Sequence, residues 1–238
     1  MKMFKLNVIL SLTLISALSA HRPAVSNEPP GRWTKVNEQT LRFVGQIDKR
    51  TATSFKQIVT PEITTVVVQS GGGDTDTALQ VGQEIHRRQL NIIVDGRCGS
   101  SCANYWFVAA AHKIVSQGSW VGFHGNPSSS LLYYDRRQFD QAFLDSLAKF
   151  AQQERAFFQA LGVDIELVQR SSTITVAFQR PAYLPSPQQL ECFGVSNVNM
   201  WYPNSVAEKG LLWGAGGNVV ITQEVEAHPE LASILCNG

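Results

Sequence analysis

The chain has 238 residues, of which 44% are apolar and 16% charged, with a formal net charge of +1 at neutral pH. That length supports one sizeable domain, or two small ones, with a proper core, and that balance excludes a disordered chain. Two of the positive charges, Lys2 and Lys5, lie in what reads as a removable leader, so the remaining chain is close to neutral and no nucleic-acid partner is expected.

The leader spans residues 1–20. It opens on Met1-Lys2-Met3-Phe4-Lys5, continues through the apolar Leu6 to Leu14 and closes on Ser16-Ala17-Leu18-Ser19-Ala20. A short basic start, an apolar run too short to span a bilayer and small residues at its end describe a secretory signal peptide, with Ala17 and Ser19 placed for cleavage after Ser19. An uncleaved N-terminal anchor is the competing reading. Export, to the periplasm or outside the cell, puts the four cysteines where disulfides persist. Cys98, Cys102, Cys192 and Cys236 allow three pairings; a bridge from Cys98 to Cys102 is feasible at that spacing and is the one we favour. Metal binding accounts for them less well, because neither a CxxC pair nor a local His pair supplies four ligands. No metal and no cofactor is expected.

Residues 21–38, with Pro23, Pro29, Pro30 and Gly31, read as an irregular N-terminal segment, and residues 39–238 as a single domain. Thr40 to Ile47 alternates like a strand, and Thr51 to Val59 suits a short helix. Ile63 to Val68 is strongly β-branched and reads as a strand that stops at Ser70-Gly71-Gly72-Gly73-Asp74. From Thr75 the apolar positions Ala78, Leu79, Val81 and Ile85 fit one face of a helix. Asn91 to Val94 reads as a buried strand, Tyr105 to Ala111 as the body of a packed helix, and Lys113–Ser116 and Trp120–Phe123 as two short strands, the second ending in His124. This order of strands and helices implies parallel strands with helical crossovers. Residues 135–161 form a long helix candidate with an apolar stripe through Phe139, Phe143, Leu147, Phe150 and Phe157, suited to core or subunit contact. A second helix is expected over Asp164–Ser171, the two occupying a helical insertion over residues 135–180. Cys192 to Tyr202 resists assignment, Ser205 to Gly210 reads as a helix end, and Asn218 to Thr222 as a last strand.

Three features then stand in sequence: the glycine turn at Gly71 to Gly73, a serine between a strand and a buried helix at Ser100, and His124 at a strand end. In a parallel sheet, the C-terminal ends of strands and the N-termini of the following helices gather on one edge, so the three converge there. Acyl-transfer chemistry needs that convergence, because a serine is a poor nucleophile until a base takes its proton, and the oxyanion needs N–H donors fixed in advance. Each piece also has a plain reading. Ser100 suits an ordinary helix N-cap. The glycine turn lacks both GxGxxG and GK[ST] spacing, and His124 alone suits a structural histidine. Ser101 competes with Ser100, but on a helix the two point about 100° apart, so only one faces a pocket.

These residues carry a resemblance. Phe43-Val44-Gly45-Gln46-Ile47, then Val68-Gln69-Ser70-Gly71-Gly72-Gly73, then Cys98-Gly99-Ser100-Ser101-Cys102, then Gly122-Phe123-His124 resemble the ordered landmarks of the Clp protease proteolytic subunit in the ClpP/crotonase superfamily. More narrowly, the cysteine-flanked serine resembles exported ClpP-like bacterial proteins. The likeness covers residues 41–125 well and 191–222 loosely. It implies an α/β fold of repeated β-β-α units in a spiral, with a mostly parallel sheet and an inserted long helix. It makes Ser100 the nucleophile and His124 the general base, with the oxyanion held by N–H groups of Gly72 or Gly73 together with that of Ser101. It implies a peptidase acting on a peptide or small acyl substrate, and a homo-oligomer assembled through the inserted helix. No ATPase partner is expected, since an exported protein has no ATP supply.

The sequence also departs from that family. Gly71 stands where a proline is usual, and the acid of the family's triad has no clear counterpart. Asn199 is the nearest position, with Asp164 and Glu191 as outside candidates. An Asn orients a histidine but does not stabilise imidazolium as a carboxylate does. Three alternatives therefore stand beside the hydrolase: a silent binding module using the same pocket, a Ser/Lys dyad with Lys113 or Lys209 as base, and a thiol-redox role for Cys98 and Cys102.

Overall fold

A computed structural model describes residues 28–127, 129, 137, 139–214 and 218–236. The expected leader, residues 1–20, lies outside them, as do residues 21–27 of the irregular segment. Among the described residues no helix is long and apolar enough to cross a membrane.

A seven-stranded sheet organises the chain. It consists of β1 (Arg32–Asn37), β2 (Thr40–Val44), β3 (Thr65–Ser70), β4 (Asn91–Gly99), β5 (Lys113–Val115), β6 (Trp120–Gly122) and a late strand, Val198–Met200. The path runs β1-β2-β3-β4-β5 and then the late strand, with β6 pairing to β4. Only β1 and β2 are antiparallel; every other pair in this sheet is parallel. This mostly parallel α/β architecture is consistent with the expected ClpP/crotonase-like fold class.

The inward residues of β2 and β3, Leu41, Phe43, Val66 and Val68, are fully buried, and the crossover helices α1 (Thr51–Ile58) and α2 (Thr75–Arg88) close over them. Asp74 caps α2 by accepting the Thr77 N–H at 3.0 Å, which turns the chain sharply from the glycine turn into the helix. A knot of rings, Trp33, Phe43, Phe55 and Trp106, fills the space between sheet and helices, with centroids 4.8–5.5 Å apart.

Several expectations are corrected. Residues 32–37, assigned to the irregular segment, form β1, which hydrogen-bonds to β2 and sends Trp33 into the core. As an edge strand with one buried residue it carries no apolar alternation. The third buried strand does not stop at Val94: β4 runs on to Gly99. The segment after the serines is a π-helix, Cys102–Phe107, buried throughout, and it is shorter than the expected helix to Ala111. The long helix starts at Gln141 and ends at Leu161; of the expected start at 135, residues 135, 136 and 138 lie outside the described set. Its second half buries Phe150, Phe157 and Phe158 inside the same chain, while Phe143 stays exposed. The next helix covers Glu166–Phe178, seven residues beyond the expected end. The unassigned region yields the outer strand Val198–Met200, and Val220–Ile221 pairs with Tyr183–Leu184 in a separate two-stranded sheet.

One irregularity positions everything that follows. Between Val68/Ser70 of β3 and Val94/Cys98 of β4 the register shifts, because β4 carries extra residues. Gly96, at φ +108°, takes up the bend, which an L side chain resists. Before the bulge β4 pairs with β5, and after it with β6.

Candidate active site

The second half of β4 brings the serine to the histidine. Parallel pairing sets Arg97 against Trp120, Cys98 against Val121 and Gly99 against Gly122, and the Ser100 N–H continues the ladder by donating to the Gly122 carbonyl at 2.9 Å. Carried one step further, that register sets Phe123 opposite Ser100, and the residue after Phe123 is the histidine whose side chain reaches back to the serine. His124 Nε2 and Ser100 Oγ are 2.7 Å apart. The Phe123 strand end is held from its other edge, where Phe123 and Tyr183 exchange backbone hydrogen bonds at 2.8 and 2.7 Å.

Ser100 occupies the left-handed region, with φ +54°. A non-glycine residue held there is strained, and such residues concentrate where a side chain must be presented at a sharp turn. The turn separates the end of β4 from the π-helix. Ser100 is not an N-cap by its side chain: its hydroxyl engages His124, and only its backbone carbonyl serves the helix, accepting the Asn104 N–H at 2.8 Å. The Cys98–Cys102 disulfide closes the loop from two residues before Ser100 to two residues after it, and both cysteines are fully buried. The second bridge, Cys192–Cys236, ties the last residues to the helix Pro187–Cys192. No cysteine is free, so thiol ligation and dithiol redox chemistry have no thiol in this state.

The glycine turn lies directly against the serine. A Cβ on Gly72, whose φ is +97°, would sit 2.8 Å from Ser100 Cβ and from Ser101 N, and 2.7 Å from the Gly99 carbonyl oxygen. Only glycine fits. The Gly72 N–H is already used, donating to Ser70 Oγ at 3.1 Å, while Ser70 Oγ donates to the Gly45 carbonyl at 2.7 Å. Among the described residues the N–H groups of Gly73 and Ser101 have no hydrogen-bond partner, so of the expected donors these two are open. Ser101 is buried, and its hydroxyl donates to the Gly73 carbonyl at 2.9 Å. Sequence reasoning assigned Ser101 only a backbone role and overlooked Ser70. The signal was the polar Ser70 at the inward position that continues the alternation of Val66 and Val68.

His124 keeps an exposed edge, yet enough protein surrounds the ring for desolvation to hold its pKa below the usual 6.5, against a smaller opposing contribution from a hydrogen bond of its own backbone. It is therefore neutral near pH 7, the form in which a ring nitrogen can accept a proton. Among the described residues no carboxylate reaches the ring. Asn199 is not brought to it: it is exposed on the outer strand, in register with Ile114 of β5, on a groove also lined by His112 and Lys113. Asp164 instead accepts the Glu166 N–H at the start of a helix, and Glu191 is exposed on the helix Pro187–Cys192. The two lysines are also committed elsewhere. Lys113 Nζ donates to the carbonyls of Ala110 and Ser196, and Lys209 Nζ pairs with Glu224 at 2.8 Å.

Chemically, the arrangement can move one proton and hold one charge. A serine so placed can pass its proton to Nε2 as Oγ bonds to a carbonyl carbon, N–H groups without partners, such as those of Gly73 and Ser101, can donate to an oxyanion, and an imidazolium can return the proton to a leaving group.

No family model and no curated protein matches the chain. Among solved structures it is similar to a mutant of the 1510-N membrane-bound stomatin-specific protease, at 13% identity and TM-score 0.44 over 77% of this chain and 93% of that one. It is also similar to an enoyl-CoA hydratase/isomerase from Marinobacter aquaeolei, at 12% identity and TM-score 0.38 over 73% and 70% of the two chains. An enoyl-CoA hydratase from Mycobacterium avium subsp. paratuberculosis follows at 10% identity and TM-score 0.34, over 87% and 76%. At these TM-scores the overlap is partial, and the chemistry is read from the site itself.

Proposed function

We propose that this chain is an exported serine hydrolase of peptidase type, with Ser100 as nucleophile and His124 as general base. The observation that carries the reading is the 2.7 Å contact between Ser100 Oγ and His124 Nε2, made by a serine held in a strained left-handed turn. A cap or a structural histidine requires neither feature. Gly73 and Ser101 supply the oxyanion donors. Water, activated by the same histidine, hydrolyses the acyl-enzyme and releases an acid. A peptide or small acyl compound is the substrate class, because a serine activated by a histidine attacks a carbonyl carbon. Export rests on the basic-apolar-small leader in the sequence and agrees with two disulfides. Assembly into a homo-oligomer stays part of the proposal.

A second reading has one observation in its favour: among the described residues no carboxylate stands behind His124. A chain of that kind binds a peptide or acyl ligand without turning it over. A fluorophosphonate probe separates the two. Covalent labelling of the folded, oxidised protein that disappears in Ser100→Ala and in His124→Ala supports the hydrolase. Absence of labelling in the unaltered chain, under conditions where its fold is verified, overturns it in favour of the binding module.

A further inference from the structure

The run Cys102-Ala103-Asn104-Tyr105-Trp106-Phe107 is buried along its whole length, and Asn104 is its one strongly polar side chain, 1% exposed. Its amide is used at one end only. Nδ2 donates to the Gly125 carbonyl at 2.9 Å, while Oδ1 is buried and has no hydrogen-bond partner among the described residues. Leaving a buried acceptor unmatched is destabilising, and an apolar residue of similar size avoids that cost. The position thus keeps a destabilising acceptor together with the hydrogen bond to Gly125.

That bond joins the two halves of the site. Through its backbone, Asn104 donates to the Ser100 carbonyl at 2.8 Å, one helical turn after the nucleophile. Through its side chain it holds the carbonyl of the residue that follows His124. One residue thereby spans the serine turn and the histidine loop, each by a hydrogen bond shorter than 3 Å. The loop has little other freedom: at Gly125, φ +113°, a Cβ would lie 2.9 Å from Ser172 Cβ, and Asn126 and Ser129 close the next turn on one another at 2.7 and 2.9 Å. The serine side is braced by the disulfide that ends at Cys102, two residues before Asn104. Among the described residues no carboxylate orients the imidazole, and the backbone that carries the ring is tied to Asn104.

We propose that Asn104 is a positioning residue that sets the Ser100–His124 distance by clamping the histidine loop to the π-helix. The proposal rests on the serine–histidine reading, and its test separates the two. Fluorophosphonate acylation is measured for the unaltered chain and for Asn104→Leu, which keeps the volume and removes the donor. The expected result is a fall in the maximal acylation rate of roughly 100-fold, the scale set by a misplacement of about 1 Å, with the probe concentration for half-saturation unchanged. Nitrogen NMR of the His124 ring, which needs no turnover, should show Nε2 losing its hydrogen-bonded signature in the same variant. Asn104→Ala, which removes the donor and adds no charge, serves if Asn104→Leu does not fold. A variant with a lower melting temperature but an unaltered acylation rate and unaltered ring signals overturns the proposal, since that is what a purely structural amide gives. If the unaltered chain is never acylated, the hydrolase reading fails, and the ring signals alone decide whether Asn104 positions the histidine.

Discussion

Ser101 Oγ donates to the Gly73 carbonyl across 2.9 Å, tying the turn after β3 to the turn after β4. Those turns contribute the two open N–H groups, so this hydroxyl fixes the spacing between them. Ser101→Ala should lower the acylation rate by about 10-fold, less than the loss of an oxyanion donor itself, which costs about 10²–10³-fold. Stopped-flow acylation with an activated ester measures it. An unchanged rate would show that the glycine turn keeps its place without the hydroxyl.

Because Ser100 holds a left-handed φ, stability and acylation should move in opposite directions when it is replaced by glycine. Ser100→Gly removes the steric strain and should raise the unfolding free energy by about 1 kcal/mol, offset in part by the greater freedom of glycine in the unfolded chain. Ser100→Ala keeps the strain and should show no such gain. Both abolish labelling. Urea unfolding of the three proteins checks the difference, and equal stability of the glycine and alanine variants would sink the idea.

Burial lowers the His124 pKa, and a base works only when unprotonated. The acid limb of the rate profile should therefore lie below pH 6.5. Stability follows the same sign. The folded pKa is depressed, so the unfolded state binds more protons between that pKa and 6.5, and the contribution present above 6.5 is lost as pH falls through the window. A rate–pH profile with its acid limb above 6.5 would mean that a negative charge faces the ring.

The two disulfides should separate stability from chemistry. On chain entropy alone, closing a separation of 4 residues stabilises by about 2 kcal/mol, and one of 44 by about 4 kcal/mol. Replacing Cys192 and Cys236 by alanine should thus cost more stability and leave the acylation rate of the folded protein intact. Replacing Cys98 and Cys102 should cost less stability and slow acylation, because that bridge brackets Ser100. Paired unfolding and labelling curves test this crossover.

Asn199 lies on the outer strand, with its neighbours on the groove beside Lys113. Asn199→Ala should label at the unaltered rate, and so should Lys209→Met in whatever fraction folds. A loss of labelling on removing Asn199 would require it to reach His124 in another arrangement of the chain.

Much of this protein is readable in its residues because local chemistry decides it. The β-branched run ending at Val68, the apolar face of α2 with Asp74 before it, and the glycine turn each require their conformation whatever surrounds them. The four landmark stretches in order were enough to point to a mostly parallel α/β sheet and to bring forward Ser100 and His124. Long-range pairing decides the rest. β1 has one buried residue and no periodicity, so its place came from hydrogen bonds to β2. The missing acid was sought at Asn199 by order along the chain, but the β5 ladder carries that strand to the far edge of the sheet, whereas β6 joins β4 beyond the bulge. Two strands that both follow the π-helix thus separate onto different stretches of one neighbour, and no local pattern records that choice. Gly72 shows the same division on the smallest scale: the sequence announces a tight turn there, while its contact with Ser100, Ser101 and Gly99 exists only because β3 and β4 lie side by side. Backbone preference acts within a few residues and can be read along the chain; register and contact depend on partners distant in sequence, and only the folded sheet supplies them.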